Sequence, residues 1–94
     1  MDIEIFHKKF LDIISTANIE DLIFYQFGSS SNHKIFNDID ILIIYNDYEI
    51  MNDIKLKLIE ELKEWLPHIT CLSTVEEYEL SFIKTVNAKK LYPK

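Results

Sequence analysis

Arginine is absent from this 94-residue chain, glycine and cysteine each occur once, and proline occurs twice. Each scarcity excludes something. Cys71 stands alone, so no intramolecular disulfide can form. A loop-rich or disordered chain needs more glycine and proline than this, and less apolar mass. Here 48% of residues are hydrophobic, with six Phe, five Tyr and one Trp. No apolar run approaches about 18 residues, so no membrane span is expected. Residues 1–17 carry acids and lysines throughout, so no signal peptide is expected either. These features predict a soluble chain in a reducing, cytoplasmic setting. The net charge is −6, from 16 acids against 10 lysines. That balance opposes direct, sequence-independent nucleic-acid binding, which relies on neutralising phosphates. It leaves room for a local site that takes a nucleotide together with a divalent cation.

The length predicts one domain over residues 1–94. A domain this small buries only somewhat more than about 60% of its unfolded surface. The pattern along the chain is α-β-β-α-β-α. Ile3, Phe6, Phe10, Ile13 and Ala17 recur at helical spacing, which predicts a helix over 3–17 with His7, Lys8, Lys9 and Asp12 on a charged face. Residues 21–27 (DLIFYQF) are apolar on both faces and too short for most helices, and read as a buried strand. Residues 28–37 (GSSSNHKIFN) read as a loop, with room for one helical turn near Ser30. Residues 38–45 (DIDILIIY) read as a second strand, acidic at its start and fully apolar after it.

Asn46 with Glu49 forms a candidate capping box for the next helix. Its inner face is Ile50, Ile54, Leu58, Leu62 and Leu66, with Trp65 in the core and Pro67 as the stop. Glu60, Glu61 and Glu64 with Lys57 and Lys63 read as a solvated face with pairs four residues apart. Residues 68–73 (HITCLS) form a third short strand. Either Ser73 with Glu76 or Thr74 with Glu77 then caps a last helix over about 75–88, with Phe82, Ile83 and Val86 inward. The tail KKLYPK reads as frayed. The fold class expected is a small mixed α/β sheet of about three strands with helices packed against it.

Two features carry chemistry. Asp38 and Asp40 lie two apart in a strand, so alternation projects both carboxylates from one face, roughly 7 Å apart along the chain. Two like charges that close repel, and a divalent cation between them relieves the repulsion. Mg²⁺ suits such a pair, completing its shell with water and substrate phosphates. Gly28, the one glycine, and Ser29 end the preceding strand, with eight residues between Ser29 and Asp38. A glycine lets backbone approach a ligand closely. Free N–H groups at a helix start attract phosphate. Ser30 lies in the same turn, and Lys34 or His33 could reach a phosphate from it.

This strand-Gly-Ser-Asp-x-Asp-strand arrangement resembles the signature of the DNA polymerase β-like nucleotidyltransferase superfamily, especially its minimal members. The matched residues are FGS at 27–29 and NDIDILI at 37–43. The order of elements over about residues 1–88 is also similar. The resemblance implies that a nucleoside triphosphate, ATP by preference, binds with its phosphates on Gly28, Ser29, Ser30 and Lys34. Asp38 and Asp40 would hold Mg²⁺ and serve catalysis, and a nucleoside monophosphate would pass to a hydroxyl as pyrophosphate leaves. Minimal members often act as antitoxins that adenylylate a HEPN-type toxin, which implies a partner protein as acceptor. A homo-oligomer is compatible with this.

The family usually places a third carboxylate on a later strand, and residues 68–73 carry none. His68 and Thr70 occupy the corresponding face, which makes His68 a candidate replacement ligand or base. The same departure keeps a second function open, a catalytically degenerate nucleotidyltransferase fold that binds nucleotide or protein without transfer.

Overall fold

The computed structural model describes residues 3–17, 19, 21–28 and 39–93. Helix α1 spans Ile3–Ser15. Phe6, Phe10, Ile13 and Ile14 bury one stripe of it, while Lys8 and Asp12 face solvent. Strand β1 (Ile23–Phe27) runs antiparallel to β2 (Ile39–Tyr45). Helix α2 (Tyr48–Glu61) and one 3₁₀ turn (Lys63–Trp65) then lead to β3 (Pro67–Ser73), which lies parallel to β2. Helices α3 (Thr74–Leu80) and α4 (Phe82–Thr85) follow, and β4 (Lys89–Tyr92) ends the order by pairing antiparallel with β1. The sheet order is β3-β2-β1-β4. No helix among the described residues is long and apolar enough to cross a membrane.

The sheet thus has one strand more than the sequence pattern suggests. Residues 89–92, expected to fray, form an edge strand against β1. Two lysines lead it, a common way to keep an edge from pairing with other chains.

Local chemistry sets the other boundaries. Asp47, not Asn46, caps α2, with its carboxylate accepting the Ile50 N–H at 3.1 Å. Asn46 instead accepts the Thr74 hydroxyl at 2.8 Å, tying the end of β2 to the start of α3. Leu66 was expected inward, but it turns left-handed (φ 49°) and is 60% exposed. That turn leaves Trp65 in the core and starts β3 at Pro67, where a missing N–H is tolerated. Ser73 and Glu76 form a full capping box for α3. The single helix expected over 75–88 breaks at Ser81, which is left-handed (φ 50°). The Glu77 carboxylate then accepts the Ile83 N–H at 3.2 Å, at the start of α4.

The core lies between the sheet and the pair α1 and α2. Ile39, Ile41 and Ile43 of β2 and Phe24 of β1 meet Phe6, Phe10, Met51, Ile54, Leu58 and Leu62 there. Phe10 stands edge-on to Phe24, ring centroids 5.3 Å apart. Three side chains expected on solvated faces make tertiary contacts instead. His7 Nε2 lies 3.0 Å from Gln26 Oε1, which satisfies a buried amide. Glu64 accepts from Lys9 at 2.9 Å rather than from its own helix. Lys57 donates to the Thr16 hydroxyl at 3.1 Å.

Candidate functional site

The site is assembled where β1 ends and β2 and β3 begin. Phe27, the last residue of β1, pairs with Asp40 in the antiparallel register. Gly28 follows at φ +76°. A side chain there would be strained by that φ, and its Cβ would run into the Asp40 carboxylate. Glycine is therefore needed twice over, for its dihedral and for the carboxylate seated against it. Asp40 itself is half-buried.

On its other side Asp40 pairs with His68 in the parallel register of β2 and β3. Residues in register on neighbouring strands share a face, with backbones about 4.8 Å apart. Gly28, Asp40 and His68 thus form a row across one end of the sheet. His68 is exposed at the outer end of that row. It also lines an open pocket of about 390 Å³ with Ile59, Lys63, Leu66 and Pro67. A second pocket of about 440 Å³, lined by His7, Phe10, Leu11, Lys90 and Leu91, contains none of the row.

The face that carries Asp40 and His68 also carries Tyr25 and Phe27. Phe82 of α4 stands perpendicular to Phe27, centroids 5.3 Å apart, and so braces the residue before Gly28. Its spacing marked Phe82 as inward-facing, but nothing local tied it to the site. The contact is made between residues far apart in sequence. Burial pushes the Tyr25 hydroxyl above its usual range, and Glu77 adds to the shift.

Of the residues expected from sequence, Gly28, Asp40 and His68 are brought together. Ser29, Ser30, Lys34 and Asp38, with His33, lie outside the described residues. So does the helical turn expected near Ser30. Among the described residues, no group of three His, Cys, Asp or Glu side chains is placed to hold a metal ion. Asp40 and His68 stand as a pair.

No family model matches the sequence, and no curated protein matches it. Two solved structures are similar to the chain. One is the toxin–antitoxin complex MntA–HpeT carrying two Asp-to-Glu substitutions two residues apart. It has a TM-score of 0.58 at 19% identity, over 94% of this chain and 73% of that one. The other is a tri-AMPylated HEPN toxin of Shewanella oneidensis in complex with an MNT antitoxin. It has a TM-score of 0.59 at 20% identity, over 97% of this chain and 72% of that one. The shared fold is that of the minimal nucleotidyltransferases.

Proposed function

We propose that this chain is a minimal nucleotidyltransferase that passes AMP from ATP to a hydroxyl of a partner protein, a HEPN-type toxin. One observation carries the reading: the lone glycine, at positive φ, lies against the Asp40 carboxylate at the mouth of the sheet. A strand end that needs only a turn does not require a carboxylate packed onto its glycine. The neighbours supply the partner class, since both are toxin–antitoxin complexes and one holds an AMPylated HEPN toxin. The engineered aspartates of the other have the same two-residue spacing as Asp38 and Asp40.

The donor set fits a divalent ion. Asp40 offers hard carboxylate oxygen in a half-buried seat, and the Asp-Ile-Asp spacing in sequence makes Asp38 its proposed companion. These two residues would hold Mg²⁺, which supplies charge neutralisation on the triphosphate. The chain's own part is positioning. The Gly28 backbone, with no Cβ in the way, lets the Asp40 carboxylate seat at the strand's mouth, where it would face the metal-bound triphosphate. The N–H groups and hydroxyls of Ser29 and Ser30, with the Lys34 ammonium, would orient the β- and γ-phosphates. The acceptor oxygen then bonds to the α-phosphorus as the bond to pyrophosphate breaks, and the acceptor proton leaves to a base. Most of the rate in such chemistry comes from placement and charge.

The test is transfer of label from α-labelled ATP, with Mg²⁺, to a HEPN-type toxin. Asp38→Ala with Asp40→Ala should reduce labelling about a thousandfold or more, the scale on which phosphoryl transfer responds to loss of a charge-stabilising group. Absence of labelling with all four nucleotides and a panel of such toxins would sink the proposal. A second reading is favoured by one feature, the imidazole at the position across from Asp40 where β3 offers no acid. On that reading the fold binds its partner without transfer. Partner binding and toxin neutralisation would then survive the double substitution unchanged.

A further inference from the structure

We infer that His68 is a metal ligand beside Asp40, and that the site is built for a first-row transition ion, Mn²⁺ in the first place, rather than for Mg²⁺ alone. The inference deepens the proposed transferase site and rests on its placement at the mouth of β2.

The argument starts from the register. Parallel pairing of β2 with β3 sets Asp40 and His68 side by side on one face. Gly28 bounds Asp40 on the β1 side, because the space a Cβ would occupy is taken by the carboxylate. An ion held by that carboxylate on the side away from Gly28 would have His68 as its neighbour in the strand register. Pro67, the residue before His68, has a fixed φ, and Leu66 before it is locked left-handed. The backbone that delivers the imidazole is thus held at the strand's first residues.

Ligand chemistry then decides the ion. Carboxylate and water oxygens suit Mg²⁺, Ca²⁺ and Mn²⁺, whereas imidazole nitrogen suits transition ions. A mixed pair favours an ion that accepts both donors. Mn²⁺ accepts carboxylate, imidazole and phosphate oxygen together, and first-row ions beyond it gain affinity from nitrogen in the Irving–Williams order. Mg²⁺ gains little from nitrogen and gives up its waters reluctantly. Water and, when present, triphosphate oxygens would complete the shell.

The experiment uses the full chain and Mn²⁺ alone, with no nucleotide, so that no base nitrogen contributes. Pulsed electron paramagnetic resonance of bound Mn²⁺ should show ¹⁴N modulation from a directly bound imidazole. Growth with ¹⁵N-histidine should convert that signal without any change of sequence. His68→Asn should abolish it, and His33→Asn and His7→Asn should leave it. Titration should show Mn²⁺ bound at least about tenfold more weakly by His68→Asn, with Mg²⁺ affinity nearly unchanged. His68 is exposed, so this variant should fold, and circular dichroism checks that it does. Failure of Mn²⁺ to bind, bound Mn²⁺ without ¹⁴N modulation, or a signal that follows His33 or His7 each overturns the inference. Nitrogen coupling from His68 without AMP transfer upholds it while the transferase proposal falls. AMP transfer with oxygen-only Mn²⁺ does the reverse.

Discussion

On one face of β2, Ile39, Ile41 and Ile43 are wholly buried beneath α1 and α2. On the other, Leu42 and Ile44 are buried too, but Asp40 is half-buried at the strand's mouth, and among the described residues the helical cover comes from the short α3 and α4. Helix α3 buries none of its residues, and it leaves Val75, Tyr78 and Leu80 more than half exposed. The contrast separates two tasks that a larger protein would give to different layers. The aromatic face under α1 and α2 supplies the apolar burial that stabilises a 94-residue chain. At its mouth the other face spends positions on a carboxylate, an imidazole and a glycine, none of which adds apolar burial.

The largest effect should therefore fall on the helix-covered face. Phe24 is fully buried there and stands edge-on to Phe10. Phe24→Ala should cost about 3–5 kcal/mol, a large share of the total for a domain of this size. Urea unfolding followed by circular dichroism measures it. A loss under about 1 kcal/mol would mean that the two faces do not divide the work in this way.

An intermediate effect should come from the site face, and its character should differ. Gly28→Ala places a side chain at φ +76° and drives the Asp40 carboxylate from its seat. The backbone penalty should be about 1–2 kcal/mol, small enough for the variant to remain folded. Binding of ATP with a divalent ion, read by titration calorimetry, should nevertheless be lost. Full retention of that binding would break the link between Gly28 and the site.

Much of this division is written in local patterns. Alternating acid and isoleucine in 38–41 mark the acidic mouth of a strand that is fully apolar after it, and Gly28 with Asp40 was legible as a candidate site because each residue type is odd for its place. The Ser73–Glu76 box was legible from its spacing as one of two candidates, the other being Thr74 with Glu77. What local patterns miss is anything settled by a distant partner. The tail becomes β4 only because β1 has a free side to pair with, and a four-residue run led by two lysines gives little sign of it. His7 leaves its charged face because Gln26 is buried beneath it. The break at Ser81 depends on a left-handed residue and a carboxylate from the previous helix, and neither has a spacing signature. His68 was visible as a residue, but its pairing with Asp40 exists only once the strand register is known.

The smallest effect distinguishes the faces by pH. Cys71 pairs with Ile43 and packs against the core under α1 and α2, whereas Tyr25 lies on the site face. Burial raises the Cys71 thiol above its ordinary 9.0, an effect that Lys55 of α2 partly offsets. Burial likewise raises Tyr25 above its ordinary 10.0, and there Glu77 of α3 reinforces the shift. In both cases the folded group keeps its proton at a pH where the unfolded group has lost it. The unfolded state then binds fewer protons, so stability must fall as pH rises. The contribution is intact below the unfolded value and is lost as pH climbs through the folded one. Stability should thus begin to decline above about pH 9 through Cys71, and further above about pH 10 through Tyr25. Urea midpoints at half-unit steps from pH 8 to pH 10.5 give the measurement. Cys71→Ser should flatten the first part of the decline and Tyr25→Phe only the second. If both variants track the unaltered chain throughout, neither half-buried group feels its face, and the contrast between the faces holds for packing alone.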